Sequence, residues 1–230
     1  ITASATAGAP AGIEVVSASG QTAVTGTALV DAPRVRVEDP YGNPVPGVTI
    51  GFATTGGTLG APAAVTGPNG EASTTWAPSV SGGTMQEDGT FPDTLFAAVQ
   101  GAPALTTMVI ASAIYSYAAH VDASWASDGC TGCHAGTSGG ASGLSLGGSP
   151  AQNHAQLTRD ASPTCDATLV TYRIVHTAGG TGGFGSSLLP VIAAPSGGTL
   201  GTCGFPGHGR LSAASYAVIE AWIRNGAPAN

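Results

Sequence analysis

Arg34-Val35-Arg36-Val37-Glu38 is followed by Asp39-Pro40-Tyr41-Gly42-Asn43-Pro44 and then by Val48-Thr49-Ile50-Gly51-Phe52. The first run alternates polar and apolar residues, the period at which successive side chains of a strand reach opposite faces. The middle run is dense in residues that start and close turns. The third joins β-branched residues to an aromatic, which suits a half-buried pleated surface. The reading is strand, turn, strand, and it recurs along the first half of the chain. Glu71-Ala72-Ser73-Thr74-Thr75-Trp76 follows a Pro68-Asn69-Gly70 turn, and Thr94-Leu95-Phe96-Ala97-Ala98-Val99 and Thr106-Thr107-Met108-Val109-Ile110 close the half. Met108 reads as a core residue of its strand. Short strands with turn signals at regular spacing predict a β-sandwich.

Outward from this core, composition sets the class. The 230 residues include 36 Gly and 16 Pro; 8% are charged, 42% are hydrophobic, and the net charge is −7. The apolar content is enough to build cores. All six basic residues are arginine. An acidic, lysine-free chain argues against nucleic acid and anionic membrane surfaces as partners. No apolar run approaches a membrane span, and no charged segment followed by an apolar core opens the sequence.

The second half carries the chemistry. Cys130-Thr131-Gly132-Cys133-His134 is a Cys-x-x-Cys-His motif, the attachment signature of c-type haem. Two thiols three positions apart can each form a thioether to a haem vinyl group, and the adjoining histidine supplies the first axial nitrogen. A zinc site would need two further ligands at short spacing, and Cys165 and Cys203 each stand alone. A thioredoxin-like pair would need a βαβ pattern around it, which is absent. Haem attachment of this kind takes place outside the cytoplasm, where Cys165 and Cys203 would pair. Such a loop closure is worth about 3–4 kcal/mol in the chain-entropy model.

Around the motif, Ser116 to Asp128 reads as a helix with Tyr117, Val121 and Trp125 on one face. Asn153 to Thr158 and Ala167 to Val175 each have the content for a helix. Ser212 to Arg224 is the strongest helix, with Ser212 as N-cap, Gly226 as stop, and Tyr216, Ile219, Trp222 and Ile223 as apolar stripe. Glu87, Asp88 and Asp93, in the run Gln86 to Asp93, read as a solvated loop, with calcium binding as the alternative. No Ser-His-Asp pattern, phosphate loop or carboxylate pair suggests a second active centre, and the expectation is no enzymatic activity of its own.

Two family resemblances follow from these residues. Gly42-Asn43-Pro44-Val45-Pro46-Gly47-Val48-Thr49-Ile50-Gly51-Phe52, Gly56-Gly57-Thr58-Leu59 and Gly67-Pro68-Asn69-Gly70-Glu71-Ala72-Ser73-Thr74-Thr75-Trp76 resemble bacterial immunoglobulin-like domains of invasin and intimin type. That resemblance implies a surface spacer or adhesive module over residues 10–112. Tyr117-Ala118-Ala119-His120-Val121, the Cys130–Gly136 run, Gly143-Leu144-Ser145-Leu146, Arg173-Ile174-Val175, Ser186-Ser187-Leu188-Leu189 and Ile219 to Ala227 resemble single-haem cytochrome c domains. This second resemblance implies a mainly α cytochrome c domain over residues 113–230, with one covalent haem c held by Cys130 and Cys133 and His134 as proximal ligand.

Family members often place Met-Pro before the last helix. Here that place reads Cys203-Gly204-Phe205-Pro206-Gly207-His208-Gly209-Arg210, and the only methionines, Met85 and Met108, precede the motif. His208 is therefore the expected second axial ligand, with His154 and His176 as alternatives. His120 reads as a surface residue or a propionate partner. The Cys165–Cys203 bridge would fix the His208 loop.

Ile1 to Ala11 resembles Leu95 to Ala104, each a strand-like run into Gly-Ala-Pro-Ala. Residues 1–9 thus read as a strand without a module of its own. It would pair within the chain, stay unstructured, or be donated to a neighbouring copy, which repeated head to tail gives a filament. Taken together, the sequence predicts an extracytoplasmic electron-transfer protein, at the cell surface or in the periplasm. Its partners would be a redox protein or extracellular electron acceptor and further copies of itself. The alternatives are a structural or adhesive surface protein with an accessory haem domain, or an electron-transfer subunit of a redox enzyme.

Overall fold

The computed structural model describes residues 6–128, 146–158 and 212–230. The chain forms two compact units: Ile1–Thr84 with Phe91–Ile114, and Met85–Thr90 with Tyr115–Asn230.

The described residues of the first unit form ten strands: β1 (Gly12–Val15), β2 (Gln21–Val24), β3 (Arg34–Glu38), β4 (Thr49–Thr54), β5 (Thr58–Leu59), β6 (Ala63–Val65), β7 (Glu71–Ser73), β8 (Trp76–Ala77), β9 (Phe91–Val99) and β10 (Thr106–Ile114). One sheet has the order β1-β3-β7, the other β2-β10-β9-β4-β6, and β5 pairs with β8 alone. The first edge of the chain changes sheets: β1 lies antiparallel to β3, and β2 lies parallel to β10. This is the strand order of an immunoglobulin-like sandwich.

Alternation decides which residues meet between the sheets. Val35 and Val37 from one sheet pack with Ile50, Phe52, Leu95, Ala97, Val99, Val109 and Ala111 from the other, and Trp76 fills the gap between them. The Trp76 indole N–H donates to Gly56 O at 3.2 Å, so the buried ring keeps its polar end paired. The same alternation corrects the reading of Met108. Val109 and Ala111 point inward, so Met108 stands on the outer face at 55% exposure, opposite Phe96.

Two further expectations change. Residues 71–76 do not form one strand. The run breaks at Thr74 and Thr75 because the Thr74 hydroxyl donates to Ala61 O and Gly60 N–H donates to Thr75 O, which turns the chain into β8. The run 86–93 is a solvated turn only in its first part, where Gln86, Glu87 and Asp88 are exposed. Phe91 to Asp93 open β9, and Asp93 is buried, accepting from the Thr55 hydroxyl at 2.5 Å and from Thr94 N–H at 2.9 Å. Asp93 thus faces the sandwich and does not join Glu87 and Asp88 in a calcium site.

Residues 6–9, read as part of a strand, carry no strand geometry. Pro10 lacks an N–H, and Gly8 N–H donates to the Asp39 carboxylate at 2.9 Å, while Ala7 packs against the sandwich core. Asp39 also accepts from the backbone N–H groups of Tyr41 and Asn43, at 2.9 Å each, and from the Asn43 side-chain amide. The Asn43 amide, followed by Gly8 N–H, holds the Asp39 carboxyl well below the usual carboxylate range. A carboxyl depressed in the folded state contributes stability above its unfolded value and loses it as pH falls toward the folded one. Asp39→Asn should therefore flatten the loss of sandwich stability below about pH 4, read from denaturant midpoints across an acid series; an unchanged acid slope would refute this role.

Candidate functional site

The described residues of the second unit include a π-type turn and three helices. Tyr117–Val121 forms a wide π-type turn that continues into α1 (Asp122–Ser127); α2 is Pro150–Thr158 and α3 is Ala213–Arg224. The Ser116 hydroxyl accepts from Ala119 N–H at 3.0 Å and so caps the first turn. The Ser212 hydroxyl accepts from Ser215 N–H at 3.2 Å and caps α3, which ends at Asn225 before Gly226 at φ 85°. The four-residue spacing of Tyr117, Val121 and Trp125 puts all three into one buried cluster with Leu146, Ile219, Trp222, Ile223 and Ala227. The expected stripe of α3 is thus the buried one at Ile219, Trp222 and Ile223.

Loop 85–90 belongs to this unit. Gln86 N–H donates to Thr90 O and Gly89 N–H to Gln86 O, so the segment closes a tight turn, and Asp88 accepts from the Thr90 N–H and hydroxyl. Gly89 is buried at φ 78°, and a Cβ there would stand 2.0 Å from Ala221 O. The Asn225 side-chain amide donates to Asp88 O at 3.4 Å. The turn therefore rests on the C-terminal end of α3.

Of the histidines considered as ligands, His154 is described. Its ring sits edge-on to Tyr117 and Trp222, with centroids 5.1 and 5.8 Å away, and its Nε2 lies 2.9 Å from Ala227 O. Ligation through Nε2 would require that contact to break. His120 is half-buried against the Tyr115 ring, and its Nδ1 accepts from Ser116 N–H at 3.2 Å. Cys130, Cys133, His134, Cys165, His176, Cys203 and His208 lie outside the described residues, as does the helix expected over 167–175.

Sequence reasoning missed the polar residues that join the helices. Asn153 is buried, and its amide donates to Asp122 Oδ1 at 2.9 Å and to Leu146 O at 3.0 Å. Asp128 accepts from Ser212 N–H at 2.7 Å, linking the end of α1 to the start of α3. Burial works to raise the Asp128 pKa, but the Ser212 N–H and the Ser215, Ser212 and Ser127 hydroxyls outweigh it and hold the carboxyl below its ordinary value. No sequence period announces either contact, because each depends on a residue far along the chain.

Tyr117 and Trp125 are buried, at 1% and 2% exposure, and among the described residues no hydrogen bond of ordinary geometry pairs the Tyr117 hydroxyl or the Trp125 indole N–H. Burial first, then the nearby Asp122 charge, pushes the Tyr117 pKa up, so the phenol stays a neutral donor. The thiol pair and the histidine at 130–134 would suit a covalently bound haem by their chemistry.

No family model and no curated protein matches the chain. Among solved structures it is similar to the D0–D1 domains of intimin, with 21% identity over 45% of this chain and 47% of that chain and a TM-score of 0.34. It is also similar to the C-terminal 282-residue fragment of intimin in complex with the intimin-binding domain of the translocated intimin receptor, with 20% identity over 47% of this chain and 34% of that chain and a TM-score of 0.36. A third is the adhesin InvE of Yersinia pseudotuberculosis, with 15% identity over 46% of this chain and 32% of that chain and a TM-score of 0.35. The chain spans between about a third and just under half the length of these structures. The immunoglobulin-like assignment stands on the strand order itself. Among the described residues, no helix is long and apolar enough to cross a membrane.

Proposed function

We propose that the chain is an extracytoplasmic electron-transfer protein in which an immunoglobulin-like module spaces or polymerises a domain carrying one covalent haem c. The observation that carries the reading is Cys130-x-x-Cys133-His134, placed two residues beyond Asp128 at the end of α1. In this reading Cys130 and Cys133 hold the group through two thioethers, and His134 and His208 supply its axial nitrogens. When bound, the group accepts and releases one electron. The chain's own part is to bind and orient the group and to keep water from it. The apolar cluster of Tyr117, Val121, Trp125, Ile219, Trp222 and Ile223 offers the dry wall for that task. Two histidine ligands leave no open coordination position, so the protein would not itself be a catalyst, and its potential would lie below that given by a methionine ligand.

The test is direct. Intact mass of the protein from an oxidising compartment should exceed the polypeptide by one haem, and Cys130→Ala with Cys133→Ala should abolish the addition. The absorption spectrum should be that of low-spin, six-coordinate iron. A polypeptide mass without addition would end the reading.

A second reading has its own observation. Phe96, Met108 and Ile110 are 42%, 55% and 47% exposed on the outer face of the β9–β10 pair, and Val65 on β6 is 60% exposed. Apolar side chains gathered on a sheet face suit contact with another protein. That favours a structural or adhesive surface protein with an accessory haem domain, or a subunit that delivers electrons to a redox enzyme. Self-association that survives loss of the two cysteines would support the structural role.

A further inference from the structure

The two sheets of the sandwich divide its charges unequally. Glu14, Arg34, Arg36, Glu38 and Glu71 all lie on β1, β3 and β7, where Arg34 pairs with Glu71 at 3.6 Å and Arg36 with Glu38 at 3.1 Å. The five strands of the other sheet carry one charged residue, Asp93, and its side chain is buried. The outer face of that sheet therefore has no charge on its strands, in a chain with a net charge of −7. The same face has relief. Phe96, Met108 and Ile110 rise from β9 and β10, with Met108 directly across from Phe96. Beside them the sheet is low. Ile50 and Phe52 take the inner side of β4 and Ala64 that of β6, which leaves Gly51, Ala53 and Ala63 on the outside. Ala53 pairs with Phe96 and Gly51 with Ala63, so the ridge drops straight to a floor of small residues.

We propose that this face binds the same face of a second copy of the chain. A two-fold axis parallel to the strands, between β9 and β4, lays the ridge of each copy over the floor of the other. Each contact then occurs twice, as a closed two-fold interface requires. Charge favours a second copy as the occupant. An acidic chain repels its own copies wherever acid meets acid, and a partner's charge pressed against an apolar face loses its water without gaining a counter-ion. This face meets itself with neither penalty. At about 3.4 Å per residue and about 4.8 Å between strands, the face covers about 500 Å² in projection. Two copies then bury about 1,000 Å², the lower bound for a specific interface, so the dimer is a weak one. The inference rests on the exposed face of the second reading above and needs no haem.

The test is sedimentation velocity of the full chain across the micromolar range, where the parent should pass from monomer to dimer. Met108→Glu changes an exposed side chain, so the fold should stand, but each dimer would bury two unpaired carboxylates. Association should weaken by at least about a hundredfold. Ala53→Trp separates this geometry from general stickiness. It adds apolar surface, yet it fills the floor that receives the partner's Phe96, and it should weaken the dimer too. Glu14→Gln, on the charged sheet, should leave the dimer as it is. A monomer at every concentration overturns the proposal. So does tighter association of Ala53→Trp, or a dimer that is indifferent to Met108→Glu but lost when residues 1–9 are removed. The chain with Cys130→Ala and Cys133→Ala should dimerise like the parent. A dimer lost with those cysteines sinks the structural reading, and a dimer that ignores the face variants sinks this proposal.

Discussion

Trp222→Ala lowers the stability of the helical unit by about 3–5 kcal/mol, the usual cost of deleting a large aromatic from a closed core. Trp222 is fully buried, its ring lies 5.1 Å from that of Tyr117 and 5.8 Å from that of His154, and its indole N–H donates to Pro228 O at 2.8 Å. Alanine removes the ring on which two other aromatic side chains rest and leaves the Pro228 carbonyl unpaired. The loss is confined to one unit, because Trp76, the tryptophan of the sandwich, belongs to a separate cluster. Calorimetry of the variant should show the helical transition more than about 10 °C lower and the sandwich transition in place. A common downward shift of both transitions, or no shift, would contradict the separation of the two cores.

Gly89→Val should have the second largest effect, on the same unit, although residue 89 lies between two strands of the sandwich sequence. The backbone there is at φ 78°, a region that a β-branched residue enters only with strain, and the added Cβ would press on Ala221 O and Asn225 N. Strain and overlap together should cost about 2–4 kcal/mol. The expected result is a lower helical transition with loss of helical circular dichroism, while near-ultraviolet signals from Trp76 persist. Gly42→Val makes a useful control: Gly42 has φ 79° but open space around a Cβ, so its cost is backbone strain alone and falls on the sandwich. A Gly89→Val protein that unfolds like the parent would mean that the 85–90 turn does not support α3.

How much of this could be read from the chain alone depended on whether a residue's partner was near in sequence. Val35, Val37, Ile50 and Phe52 announce their burial through alternation, and the strands they sit on appear where expected. Trp222 and Ile223 do so through helical spacing. Met108 was misread because alternation gives a strand its two faces without saying which is inside; the answer lies with Val109 and Ala111 meeting the opposite sheet. The two-residue strands β5 and β8 are too short to carry any period. Loop 85–90 has the Gly and Asp content of a solvated turn, and only its packing on α3 shows that Gly89 is enclosed. His154 qualified as a ligand by residue type alone, which is blind to the Ala227 carbonyl beside it. The Asp128–Ser212 bond has no local signature at all, since an acid and a cap serine are common residues whose pairing only the fold reveals.

The change of sheet between β1 and β2 has a mechanical side. The chain enters the sandwich beside the 39–44 turn, where Gly12 pairs with Glu38, and leaves it beside the 25–33 connection, where Ile114 pairs with Val24. A pull on the two ends therefore stretches the sandwich along its strands. The parallel β2–β10 ladder lies across that pull, so its bonds from Gln21–Ala111 to Val24–Ile114 bear load together instead of unzipping one at a time. A module wired in this way resists tension, a useful property for whatever is tethered downstream of it.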